Sequence, residues 1–232
     1  MTTTIEIDRP DGPGTFTAYC AEPAGAPRAA VVVIQEIFGV NAGIRRRCDM
    51  LAEAGYLAIA PDLFWRIESN VELDPDIPPE MERSLELMNK FDQDQGIADI
   101  QASLKAARTR LGQGKVGVLG YCLGGRLAFM TAARTDADAT VCYYGVGIDG
   151  LLDEAKGITH PVILHMGQDD HFVDKAAQAR MHAGLNGHPL ATLHDYAGAD
   201  HGFATEFGKR RVDAAATLAD RRTAEFFTKN LA

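Results

Sequence analysis

No apolar run in this chain approaches the roughly 18 residues that a membrane span requires. Cysteine is scarce: Cys20, Cys48, Cys122 and Cys142 are the only four in 232 residues. They never stand in CxxC spacing, which argues against a zinc ribbon or a thioredoxin-type pair and leaves four expected free thiols. Basic residues are outnumbered, with 23 Lys and Arg against 32 Asp and Glu and a formal net charge of −9. The only basic clusters are Arg45 to Arg47 and Lys209 to Arg211. Both are expected to be solvated helix surface, and nucleic acid is not an expected partner. The opening MTTTIEIDRPDGPG has neither a basic leader nor an apolar run before small residues, so a cytoplasmic location is the expectation. No G-x-G-x-x-G follows the first parallel strand, and G-x-x-x-x-G-K-[ST] and H-E-x-x-H occur nowhere. Neither a metal nor an organic cofactor is therefore expected.

What is present is a regular alternation. IEID and TFTAYC are short β-prone stretches, AAVVVIQE and YLAIAPD read as buried strands, and KVGVLG, ATVCYYG, PVILHMG and LATLHDY read as further strands. Between them lie helical patterns: NAGIRRRCDMLAEAG, a long stretch from about Pro79 to Leu111, LGGRLAFMTAAR, Asp174 to about Leu185, and about Thr205 to Lys229. Strands alternating with helices imply an α/β fold, a doubly wound and mostly parallel sheet with helices on both faces. One domain over residues 1–232 is the expectation from length. The proline-rich stretch from Pro61 to Pro79 reads as a loop insertion.

In such sheets, catalytic groups gather where loops leave the carboxyl ends of strands. After KVGVL comes Gly120-Tyr121-Cys122-Leu123-Gly124-Gly125, the G-x-S-x-G elbow with cysteine in the serine place, between a strand and a helix. Larger flanking side chains would collide with the central residue or the neighbouring strand, so the glycines mark a thiol held at the tip of a strained turn. A helix N-terminus there favours a thiolate. A nucleophile needs a base, and the base an orienting acid, in the chain order nucleophile, acid, histidine. Asp169 and Asp170 in GQDDHFVD and His201 in AGADHGF follow two later strands in that order. Spacing alone does not separate the two aspartates. The oxyanion of acyl attack needs two backbone N–H donors, which Leu123 and Ile37 of QEIFG are placed to supply.

Five segments, VVVIQEIFGVN, GYCLGG, CYYG, HMGQDDHFV and HGF, stand in order and resemble the dienelactone hydrolase family, the cysteine branch of the α/β-hydrolase fold. The resemblance covers nearly the whole chain. It implies Cys122 as nucleophile, Asp170 and His201 as the rest of a triad, and Ile37 and Leu123 as the oxyanion hole. It also implies that Glu36 holds the resting thiol and releases it as thiolate when substrate arrives. Two arginines grip a substrate carboxylate in the dienelactone enzymes, and those positions read Met81 and Thr205 here. Arg83, one helical step from Met81, is a possible substitute, and Phe38, Tyr143 and Tyr144 are expected to line the pocket, although core packing accounts for them as well.

The expected protein is thus a monomeric hydrolase of small esters or lactones that works through a thioester. The alternative is a binding protein on a hydrolase scaffold that holds a small molecule without turnover.

Overall fold

A computed structural model describes residues 1–231. Its centre is one eight-stranded sheet built from β1 (Thr2–Asp8), β2 (Thr15–Ala21), β3 (Ala29–Ile34), β4 (Tyr56–Pro61), β5 (Val116–Tyr121), β6 (Ala139–Tyr143), β7 (Val162–Gly167) and β8 (Ala191–Tyr196). The order across the sheet is β1-β2-β4-β3-β5-β6-β7-β8. β1 and β2 form an antiparallel pair, β2 runs antiparallel to β4, and all later neighbours are parallel. Every residue of β3, β4, β5, β6 and β7 is buried, which is why these segments read as unbroken apolar runs. The two faces of the sheet each carry a core cluster, one around Ile34, Leu57, Val118 and Leu164, the other around Val31, Val33, Val141 and Ile163.

Among the described residues six α-helices cover those faces: α1 (Ala42–Glu53), α2 (Pro78–Lys90), α3 (Gln93–Leu111), α4 (Leu123–Arg134), α5 (Lys175–Leu185) and α6 (Asp213–Asn230). No helix among the described residues is long and apolar enough to cross a membrane. Local chemistry sets the helix starts. Asn41 accepts from the Ile44 N–H at α1 and Asp174 from the Ala177 N–H at α5, each satisfying a donor that the first turn leaves free.

The structure departs from the sequence expectation in three places. The long helical stretch is two helices, because Phe91 turns inward against Phe64 (ring centroids 5.7 Å) and Asp92 caps a new start by accepting from the Asp94 and Gln95 N–H groups. The terminal helix begins at Asp213, and residues 205–212 form an irregular loop instead of its first turns. Finally, the two basic clusters are not simply solvated. Arg47 is 6% exposed, since Ile44, Arg47, Cys48 and Leu51 share one stripe of α1 that faces the protein. Arg210 lies in the 205–212 loop, which folds its guanidinium over the Phe38 ring at 5.2 Å.

The segment between β4 and α2 has no helix or strand of its own, as the proline content suggested, but it is firmly attached. Leu73 N–H donates to Phe38 O (2.9 Å), the Asn41 amide donates to Leu73 O (3.0 Å), and Lys209 N–H donates to Asp76 (3.1 Å). These bonds join it to the turn after β3 and to the 205–212 loop, three loops on the carboxyl side of the sheet.

Candidate active site

The turn between β5 and α4 carries Cys122 at φ 54° and ψ −115°, a region that side-chain-bearing residues rarely occupy. Close packing holds it there. A Cβ at Gly120 would lie 1.9 Å from Gly124 O, and one at Gly124 would lie 2.4 Å from Ile34 O at the end of β3. Cys122 N–H donates to Tyr143 O at 3.1 Å, and Tyr144 N–H to His165 O at 2.8 Å, so the ends of β5, β6 and β7 are fastened together. Cys122 is partly accessible, whereas Cys20, Cys48 and Cys142 are buried.

Two further strand ends meet this elbow. Asp170 follows β7 and His201 follows β8, and His201 Nδ1–H donates to Asp170 Oδ2 at 2.9 Å with both side chains about 2% exposed. Asp170 Oδ1 accepts from the Phe172 and Val173 N–H groups (2.9 and 3.2 Å), which fixes the carboxylate plane. Asp169 faces outward, 62% exposed and 3.8 Å from Lys175. Burial alone would lower the pKa of His201, but the bond to Asp170 and the neighbouring Cys122 outweigh it and raise the imidazole to about 10. His201 Nε2 is buried without a hydrogen-bond partner. The sulfur of Cys122 lies near enough to raise the imidazole both as a hydrogen-bonding neighbour and as a charge, although their contact falls short of full hydrogen-bond geometry. The Tyr144 and Phe172 rings stand edge-on to the imidazole at 5.1 and 4.9 Å and shield it from water.

Leu123 is the first residue of α4, so its N–H has no partner within the helix. Ile37 is buried in the turn after β3, whose last carbonyls pack directly on Gly124. Glu36, beside it, is 7% exposed, and burial pushes its carboxyl above the usual range despite the nearby Arg210, His201 and Arg47. Its Oε2 is 3.9 Å from Arg210, and its Oε1 has no hydrogen-bond partner. No hydrogen bond links Glu36 to Cys122; the carboxylate turns toward Arg210, a residue that sequence reasoning had left on the surface.

Next to this cluster is a cavity of about 450 Å³, walled by the segment after β4, the start of α1 and the 201–212 loop. Glu36, Tyr144, Thr205 and Arg210 reach it. Tyr144 holds φ 37°, a strained setting that presents its ring there. Other expected pocket residues lie elsewhere. Tyr143 is core, with its hydroxyl bonded to Asp220 and Thr223. Phe38 is 1% exposed beneath Arg210. Arg83 is not on the cavity wall: it projects from the outer face of α2, paired with Glu68 and with Glu86 at 2.6 Å. Its neighbours in α2 explain this, because Ser84 and Leu87 take the buried stripe. Arg47, also unforeseen, anchors the wall from behind. It donates to Ala204 O (2.5 Å) and pairs with Glu206 (2.9 Å) and Asp220 (3.0 Å). Its place at i+3 from Ile44 was the available signal.

Asp170, His171 and Asp200 place one ligand-type atom each within 4.8 Å of one another. His171 and Asp200 are exposed and joined at 2.8 Å, and Asp170 is committed to His201.

Comparison with known proteins identifies the family. The profile of the dienelactone hydrolase family matches residues 16–231. A protein of Azospirillum brasilense, provisionally named a carboxymethylenebutenolidase, is 47% identical over 221 residues, 94% of this chain and 95% of its own length. The carboxymethylenebutenolidase of Pseudomonas putida is 40% identical over 227 residues, 97% of this chain and 96% of its own. A crystal structure from Klebsiella pneumoniae, provisionally a dienelactone hydrolase, superposes with a TM-score of 0.85 at 30% identity and 99% coverage of both chains. On this match along nearly its whole length, the chain belongs to the dienelactone hydrolase family, hydrolases of ester and lactone bonds on the α/β-hydrolase fold.

Proposed function

We propose that the protein is a cysteine-dependent hydrolase of small esters or lactones that works through a thioester on Cys122. The observation that carries this reading is the buried 2.9 Å bond from His201 to Asp170, which leaves Nε2 without a partner beside the elbow cysteine. With the Cys122 proton on His201, whose imidazole Asp170 and the neighbouring sulfur keep protonated, the sulfur attacks the acyl carbon. The N–H groups of Ile37 and Leu123 hold the oxyanion, whose charge exists only on the way through the reaction. The C–O bond breaks, and the leaving alkoxide takes the proton from His201; in a lactone it stays tethered to the acyl group. Water then gives a proton to His201 and attacks the thioester, and the carboxylic acid leaves with the thiolate and the protonated His201 restored. Asp170 keeps Nδ1 protonated and stabilises the imidazolium. Glu36, neutral more readily than an ordinary glutamate, borders the cavity near His201 and Arg210.

The test is intact-mass analysis after incubation with p-nitrophenyl acetate. An acetyl adduct is expected on the wild-type protein and none on Cys122→Ala. An undiminished adduct in Cys122→Ala would overturn the assignment. Tight binding of lactones with neither adduct nor turnover would favour a binding protein instead.

A further inference from the structure

Seven buried side-chain polar atoms among the described residues have no hydrogen-bond partner, and five belong to residues that wall the same cavity: Glu36 Oε1, Tyr144 OH, Thr205 Oγ1, Arg210 Nη2 and Glu206 Oε1, the last held in an ion pair with Arg47 at 2.9 Å. Glu36, Tyr144 and Thr205 are 7%, 2% and 9% exposed. A buried polar atom without a partner costs free energy, and several around one space suggest a ligand that completes them. Their chemistry is mixed: Arg210 only donates, ionised Glu36 only accepts, and the two hydroxyls do either. The ligand group that can donate and accept at once is itself a hydroxyl. A carboxylate could satisfy Arg210 but would face Glu36, which is already 3.9 Å from that guanidinium. The remaining wall is acidic as well, since Glu72, Asp74, Asp76, Glu80 and Glu206 line it with Glu36. The second lining cation, Arg47, is held by Glu206 and Asp220.

We propose that this cavity is a subsite for hydroxyl groups of the substrate, contributed by Glu36, Tyr144, Thr205 and Arg210, and that it selects uncharged hydroxylated lactones over carboxylate-bearing ones. The subsite adjoins the reacting groups, because Tyr144 stands edge-on to His201 at 5.1 Å and Glu36 precedes Ile37 in the chain. The proposal rests on the hydrolase reading above and specifies its substrate class.

Three lactones with the same five-membered ring test it by proton release: γ-butyrolactone, its 2,3-dihydroxy derivative and its γ-carboxylate. The dihydroxy lactone is expected to have a kcat/KM about tenfold above the parent, the gain of one or two well-made hydrogen bonds, and the carboxylate to fall below it. Thr205→Val and Arg210→Met should each lower the dihydroxy-to-parent ratio by about fivefold to tenfold, while a general folding defect would lower both rates together and leave the ratio unchanged. A ratio near one in the wild type, a ratio untouched by both variants, or the carboxylate as best substrate would overturn the subsite. The p-nitrophenyl acetate adduct, run in parallel, separates the two failures. With the adduct present, only the subsite falls; with neither adduct nor turnover of any lactone, the hydrolase reading falls and the subsite with it.

Discussion

A methyl group added at Gly120 would meet Gly124 O at 1.9 Å and Gly124 C at 2.4 Å, and both of those neighbours are backbone, so no side chain can move aside. Gly120→Ala is therefore expected to destabilise the fold by about 2–3 kcal/mol through overpacking and to displace Cys122. Urea unfolding would show it as a lower midpoint at unchanged m-value, and an unchanged midpoint would mean that the elbow relaxes freely. The elbow was legible in the sequence because such collisions leave glycine as the residue that fits. The order of Cys122, the aspartates and His201 was legible too, because each follows a strand and strand ends converge. Whether Asp169 or Asp170 faces His201 was legible in the family resemblance and not in the spacing, since it depends on the rotation of one loop after β7. Arg210 was not legible: nothing in KRR says that its loop folds back over Phe38.

At the scale of elements, every strand and the start of α4 followed from β-prone stretches, apolar runs and turn residues. The break between α2 and α3 did not, because its periodicity continues through Phe91 and only the capping role of Asp92 interrupts it. Arg47 shows what the tie between elements does. From α1 it reaches the carbonyl of Ala204, the carboxylate of Glu206 in the 205–212 loop and Asp220 in α6. Removing it leaves two carboxylates and a carbonyl uncompensated, and breaking a buried pair in this way costs more than the pair itself contributes. Arg47→Ala is expected to lower stability by about 3 kcal/mol. Arg46→Ala, which removes only an exposed contact with Glu53, should leave the urea midpoint within error. Equal effects of the two variants would contradict the view of Arg47 as the anchor of the cavity wall.

For the molecule as a whole, alternating strands and helices implied a doubly wound sheet but not its order, since the crossover that puts β3 between β4 and β5 depends on helix packing. Charge linkage also acts at this scale. Among the groups at the site, His201 and Glu36 bind protons more tightly folded than unfolded. His201 is raised from 6.5 to about 10 by Asp170 and Cys122 against the opposing effect of burial, and Glu36 is raised above 4.5 by burial. Where the native state holds more protons than the unfolded chain, unfolding free energy falls as pH rises. The stabilisation from charged His201 is complete below pH 6.5 and lost as pH climbs through about 10. The penalty for ionising Glu36 develops as pH rises above 4.5. Glu154 acts in the opposite sense: its bond to Arg134 lowers its pKa, so its contribution is lost as pH drops below 4.5 through its folded value. Maximum stability is accordingly expected on the acid side of neutrality. Urea unfolding at pH 6, 8 and 10 should show a steady decline in the wild type and a flatter one in His201→Gln. The alkaline step belongs to the imidazole together with the Asp170 and Cys122 around it. An identical decline in both proteins would place the titrating group elsewhere and remove the electrostatic basis for a charged His201 at the elbow.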